Sequence, residues 1–198
     1  MRVPTSISLM ILCSSVSLAA LPPQFADCLS TDGSSASIYD VKEIAKVAKV
    51  NYCQNQSGLT NKFDTMDLLK TGNVNIGISV AKTTYTREDL QEMARSGPYV
   101  LYVDSNRIAK EYLTELAKQG VQLVVMSATA GLAKQDLLDF AKARPFVYNV
   151  NSNVVKEDVK ELVQAGVMVV FRSNASGLSR EQIVEIAKVN PDLVTLSP

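Results

Sequence analysis

The sequence predicts an α/β fold, a right-handed βα solenoid with parallel strands on one face and helices on the other. Three observations predict it. An amphipathic helical phrase returns along the chain, a turn residue closes each phrase, and a short apolar segment follows each turn. The turn residues are Asn51, Gly72, Gly97, Gly120, Arg144, Gly166 and Asn190, so the intervals run 21, 25, 23, 24, 22 and 24. A near-constant period of this size marks stacked supersecondary units that bury a shared core.

The helical phrase is a pair of apolar residues three apart with a third directly after. It reads Ile44, Val47, Ala48; Leu90, Met93, Ala94; Leu113, Leu116, Ala117; Leu137, Phe140, Ala141; Val159, Leu162, Val163; and Ile183, Ile186, Ala187. This spacing places all three side chains on one helical face. The second unit matches least well, with Thr65 before Leu68 and Leu69. Thr86 with Asp89 and Ser179 with Gln182 mark helix starts by their capping chemistry. Gly and Asn at the stops accept the left-handed conformation that ends a helix.

Strands are predicted over Val74–Val80, Tyr99–Val103, Val121–Met126, Phe146–Val150, Val167–Phe171 and Leu193–Leu196. They are rich in Val, Ile, Tyr and Phe, which fit a pleated surface. Each link between strands is long enough for a helix, so successive strands pair in parallel through right-handed crossovers. A closed or half-closed βα barrel or an open parallel sheet is the competing architecture, since several strands are apolar at every position.

The first 20 residues read as a secretory leader. Arg2 gives the positive start, Ile7–Leu12 the apolar stretch, and Ser17-Leu18-Ala19-Ala20 the small residues of a cleavage site. The chain is therefore expected to be periplasmic or secreted, with no transmembrane segment once the leader is removed. Cleavage removes Cys13 and leaves Cys28 and Cys53. In an oxidising compartment these pair into one disulfide worth about 3 kcal/mol, the alternative being two buried thiols. The domain organisation is then a leader over 1–20, an N-terminal capping region over 21–53, and a repeat array over 54–198.

The units also resemble the leucine-rich repeat, on Leu116-Ala117, Val121-Gln-Leu-Val-Val-Met126 and Leu132. The resemblance implies core positions at Val121, Val124 and Met126, at Pro145, Tyr148 and Val150, and at Val167, Val170 and Arg172. The Asn ladder of that family is matched by Asn106 and Asn153 alone, with Thr129 and Ala175 in the equivalent slots. In this reading Val100, Tyr102, Leu123, Val125, Val147, Asn149, Val169 and Phe171 point to the concave face. An apolar exposed stripe there marks a contact surface. A register slip of one residue would send these side chains inward, and a covering element such as Leu21–Tyr39 would hide them.

Chemistry is sparse. The chain has no His and equal numbers of basic and acidic residues, 20 each, which removes the commonest general base and any global field for nucleic acid. The carboxylates Glu88, Asp89, Glu157, Asp158 and Glu181 sit in first helical turns and do not converge. Ser79, Asp104, Ser127, Asn151, Ser173 and Ser197 form a polar row at the strand ends, read as a ladder holding loop backbone. No cofactor or metal is expected. Asn55-Gln-Ser57 and Asn174-Ala-Ser176 have the form of glycosylation sequons. The terminal strand Leu193–Leu196 offers an unpaired edge, which predicts self-association or docking there.

The functional expectation is a non-enzymatic exported repeat protein that binds another protein as a part of an envelope assembly. The alternatives are a glycan- or peptide-binding module on the concave face, or a small hydrolase on a βα barrel.

Overall fold

The computed structural model describes residues 37–54, 61–172 and 175–197. Among these residues seven α-helices alternate with seven strands. The helices are α1 (Ile38–Ala45), α2 (Lys62–Lys70), α3 (Arg87–Ser96), α4 (Lys110–Lys118), α5 (Lys134–Ala143), α6 (Lys156–Gln164) and α7 (Arg180–Ala187). The strands are β1 (Val50–Gln54), β2 (Val74–Ser79), β3 (Val100–Val103), β4 (Gln122–Met126), β5 (Val147–Val150), β6 (Met168–Arg172) and β7 (Val194–Ser197). All seven form one parallel sheet whose spatial order is the chain order.

The apolar residues divide into two clusters that place the layers. The larger joins the inward residues of every helix, such as Leu90, Met93, Leu113, Leu116, Phe140 and Leu162, to alternate strand residues such as Ile76, Leu101, Leu123, Val125, Val169 and Phe171. Phe140 and Phe146 meet edge to face at its centre, with ring centroids 6.3 Å apart. The smaller cluster holds Val100, Tyr102, Val124, Met126 and Val147, with Cys53, Met168 and Val170 against it, and contains no helical residue. The described helices therefore all pack on one side of the sheet, here called the outer face.

Inner-face residues lie in register rows. One row runs Cys53, Gly77, Val100, Gln122; the next Ser79, Tyr102, Val124, Val147, Met168; the next Met126, Asn149, Val170, Thr195. The first row starts one residue from the end of β1 and leaves through the first residue of β4, the stagger of a curving sheet.

Helix ends follow their local chemistry. Thr86 and Asp89 form a reciprocal capping box at α3, and Ser179 and Gln182 form another at α7. Gly72, Gly120 and Gly166 take φ of 72°, 105° and 87°, the left-handed turn that their type permits. Gly97 instead is extended at φ 166°, and its close approach to Leu69 leaves little space for a Cβ.

Three expectations need correction. The first helix buries Val41 and Ala45, while Ile44 and Val47 are exposed, so the helical phrase lies three residues earlier than the spacing to Asn51 implies. Asn51 is a residue of β1, a strand the sequence reading does not contain. In β4 and β6 the phase is reversed. Val124, Met126, Val170 and Arg172 lie on the inner face, and Leu123, Val125, Val169 and Phe171 meet the helices.

Adjacent helices are tied by a repeating ion-pair ladder. From α2 onward every helix opens on a basic residue; α1, α2, α3, α5 and α6 carry acids at their third and sixth positions, and α4 and α7 at the sixth alone of these two. Lys62 reaches Asp89 and Glu92 of the next helix at 3.0 and 2.9 Å. Lys110 reaches Asp136 at 2.6 Å, Lys134 reaches Asp158 and Glu161 at 3.2 and 2.8 Å, and Lys156 reaches Glu185 at 3.0 Å. Lys42 of α1 serves Asp64 and Asp67 at 3.4 and 3.5 Å. The hydrogen bond from Lys110 holds the Asp136 carboxyl below the usual carboxylate range. Such exposed pairs contribute little to stability, and their main effect is to fix neighbour on neighbour.

Candidate functional site

The eight residues expected on an exposed concave stripe divide between the two faces. Val100, Tyr102, Val147 and Asn149 are on the inner face, while Leu123, Val125, Val169 and Phe171 belong to the helix-packed core. None is exposed: Tyr102 is 1% accessible, Asn149 3% and Phe171 0%. Cys53 faces the same inner side and is disulfide-bonded. Cys28, its expected partner, lies outside the described residues, as do the leader, the sequon residues Asn55 and Asn174, and Ser173.

The polar row at the strand ends acts as the expected backbone ladder. Asp104 accepts from Ser79 Oγ at 2.6 Å and from the Ala81 amide at 2.8 Å. Asn151 repeats the arrangement one pair of strands later, accepting from Ser127 Oγ at 3.1 Å and from the Ala128 amide at 3.0 Å. In both, the residue ending one strand holds the loop that leaves its neighbour. Arg172 donates to Ser197 at 3.0 Å.

Asn149 stands apart. Its Oδ1 is buried and has no hydrogen-bond partner among the described residues. An unpaired buried acceptor costs about 1–3 kcal/mol. Asn149→Val, which puts a β-branched side chain beside Met126 and Val170, is expected to raise the melting temperature by about 2–4 °C per kcal/mol recovered. A fall in thermal denaturation would show that this oxygen holds a donor.

A concavity of suitable size lies elsewhere, at the carboxyl ends of β2 and β3. A groove of 540 Å³ is lined by Tyr85, Thr86, Arg87, Arg107, Ala109 and Tyr112, among others. The loops that leave β2 and β3 deliver these residues to the first turns of α3 and α4. Arg87 stacks on the Tyr112 ring, 4.4 Å from its centroid, and also bonds the Tyr112 hydroxyl and the Glu88 carboxylate. That bond lowers the Glu88 pKa and raises that of Arg87. Arg107 donates to the Thr83 carbonyl at 2.9 Å, which orients its guanidinium along the loop. Ala109 caps α4 without any side-chain hydrogen bond, so the first amides of that helix keep their donors for another acceptor.

Tyr85, which lines this groove, also belongs to a buried polar triad. Gln54 Nε2 donates to Thr65 Oγ1 at 2.8 Å, the Tyr85 hydroxyl donates to Gln54 Oε1 at 3.1 Å, and Thr65 Oγ1 and the Tyr85 hydroxyl lie 2.9 Å apart. This explains the irregular second unit. Thr65 occupies an apolar slot because it faces Gln54 of β1.

Among the described residues no three His, Cys, Asp or Glu side chains group closely enough to hold a metal ion. No described helix is long and apolar enough to cross a membrane. Sequence reasoning missed the groove, because Arg87 and Arg107 lie twenty residues apart and only the pairing of β2 with β3 brings their loops together.

No protein-family model matches the sequence, and no curated protein matches it. Solved structures that resemble the fold include the 3-dehydroquinate dehydratase of Aquifex aeolicus VF5, at 13% identity and TM-score 0.39, covering 76% of this chain and 78% of that one. An oxaloacetate acetylhydrolase in complex with the product oxalate matches at 13% identity and TM-score 0.39, over 86% of this chain and 77% of that one. An aldolase, QR15, matches at 11% identity and TM-score 0.35, over 81% of this chain and 85% of that one. The expectation of an adaptor docking a protein on an exposed concave stripe is corrected, because the eight stripe residues are buried.

Proposed function

We propose that this chain is a half-closed βα barrel that binds a small anionic molecule, a phosphate or carboxylate, at the carboxyl ends of β2 and β3. The curved stagger of the sheet and the burial of its inner face support the barrel over a wide leucine-rich-repeat arc. One observation carries the ligand: two guanidiniums, Arg87 and Arg107, line one 540 Å³ groove over the uncapped first turn of α4. Helix N-termini carry partial positive charge and free amides, and arginine pairs with carboxylate and phosphate in a fixed fork. Parallel α/β sheets hold ligands at this end of their strands. Arginine side chains offer donors and no acceptor, so the groove is read as binding rather than transforming its ligand. The chain is further taken as exported, which a disulfide at Cys53 supports.

Inorganic phosphate and succinate are the probes, with affinity measured by calorimetry. The wild-type chain is expected to bind one of them. Arg87→Ala with Arg107→Ala is expected to weaken that binding about a hundredfold, through the loss of two charge-assisted contacts. Both side chains are on the surface, so the melting temperature without ligand should stay close to wild type. Equal affinity in the wild type and the double variant, or no binding of either probe, overturns the reading.

A further inference from the structure

The ion-pair ladder leaves one unfilled half at each end of the described array. Each opening base from α2 to α6 meets a side chain of the next helix: Lys62, Lys110, Lys134 and Lys156 find acids, and Arg87 finds Tyr112. Arg180 opens α7 in the same position and has no such partner among the described residues. At the other end, α1 carries Asp40 and Glu43 at the third and sixth positions, where every later helix from α2 to α6 except α4 carries a pair of acids. No described helix precedes α1, and residues 3–41 contain no Lys or Arg to serve these acids. Asp40 accepts from Ser37, and Glu43 pairs with Lys46 of its own turn.

Apolar exposure collects at the same two ends. Tyr39, Ile44 and Val47 are open at the α1 end, and Val184 and Leu196 at the α7 end. Elsewhere among the described residues only Phe63 and Val155 are as open for large apolar side chains. The outer edges of β1 and β7 are also unpaired within the described sheet. Both ends thus present what an internal neighbour would complete: a strand edge, an apolar helix flank and half of a charge pair.

We propose that a second copy of this chain docks end to end, with α7 and β7 of one copy against α1 and β1 of the next. Arg180 then meets Asp40 and Glu43, the pairing that Lys62 makes with Asp89 and Glu92 within one chain. The contact is head to tail, so it extends into longer assemblies unless the rotation closes a ring. It is independent of the anion groove, which shares none of these residues.

Sedimentation velocity of the whole chain across a concentration series tests it. The wild type is expected to show a mass that rises with concentration and falls with added salt. Arg180→Glu alone and Glu43→Lys alone each set like charges against each other and should sediment as single chains. Their equimolar mixture is expected to associate again, because Arg180 of the second variant meets Asp40 and Glu43 of the first. Circular dichroism melts matching wild type confirm that each variant is folded, and Glu43→Gln, which removes charge without reversing it, replaces Glu43→Lys if that variant melts early. A wild type that stays a single chain at every concentration overturns the proposal. So does association unchanged in both variants, or a mixture that stays dissociated.

Discussion

Phe171→Ala is expected to destabilise the protein by about 3–5 kcal/mol, the cost of truncating a fully buried aromatic side chain. Phe171 is 0% accessible and packs from β6 against the helix layer, beside Val150 of β5. A domain holds about 5–15 kcal/mol in all, so the loss is a large fraction of the total. Chemical denaturation of the purified variant should show an earlier midpoint with an unchanged slope. On an exposed contact stripe the same substitution would leave folding intact. A midpoint within error of wild type would place Phe171 on the surface and reverse the assignment of the two faces of β6.

The second large effect concerns the buried triad. Thr65→Val removes the acceptor for Gln54 Nε2 and one neighbour of the Tyr85 hydroxyl, in a site where Thr65 is 0% and Gln54 4% accessible. The stranded amide donor is expected to cost about 1–3 kcal/mol. Adding Gln54→Leu removes that donor, so the double variant should recover part of the loss. A double-mutant cycle by denaturant titration reads the coupling, expected at about 0.5–3 kcal/mol. Strict additivity would mean that the two side chains do not interact. Because Tyr85 also lines the groove, anion affinity in Thr65→Val should fall as Tyr85 loses this neighbour.

The repeat itself was legible, since strand and helix periods recur whatever the register. Six of the seven strands lie within two residues of their expected bounds, in the expected parallel chain order. Strand phase was not legible from hydrophobicity. Val121-Gln-Leu-Val-Val-Met126 is apolar at five of six positions because both faces of β4 are buried, and alternation fades in such a strand. The information lay in the polar exceptions. Asn51, Asn75, Gln122, Asn149, Arg172 and Thr195 all occupy inner-face positions in register, so Gln122 and Arg172 alone fix the phase of β4 and β6. Gln54 breaks that rule because Thr65 satisfies it on the outer face. The ladder between helices was hidden for another reason. Its partners lie 22 to 30 residues apart in sequence and become neighbours only when the units are stacked.

The inner face carries the account, because its burial separates a filled barrel interior from an open binding stripe. Methyl relaxation by a soluble gadolinium chelate reads that burial directly on the folded chain. The methyl groups of Val100, Val124 and Val147 should broaden no more than those of Leu101 and Leu123 in the helix-packed core, while Val47 and Val155 broaden strongly. Broadening of Val100, Val124 and Val147 to the level of Val47 would contradict it.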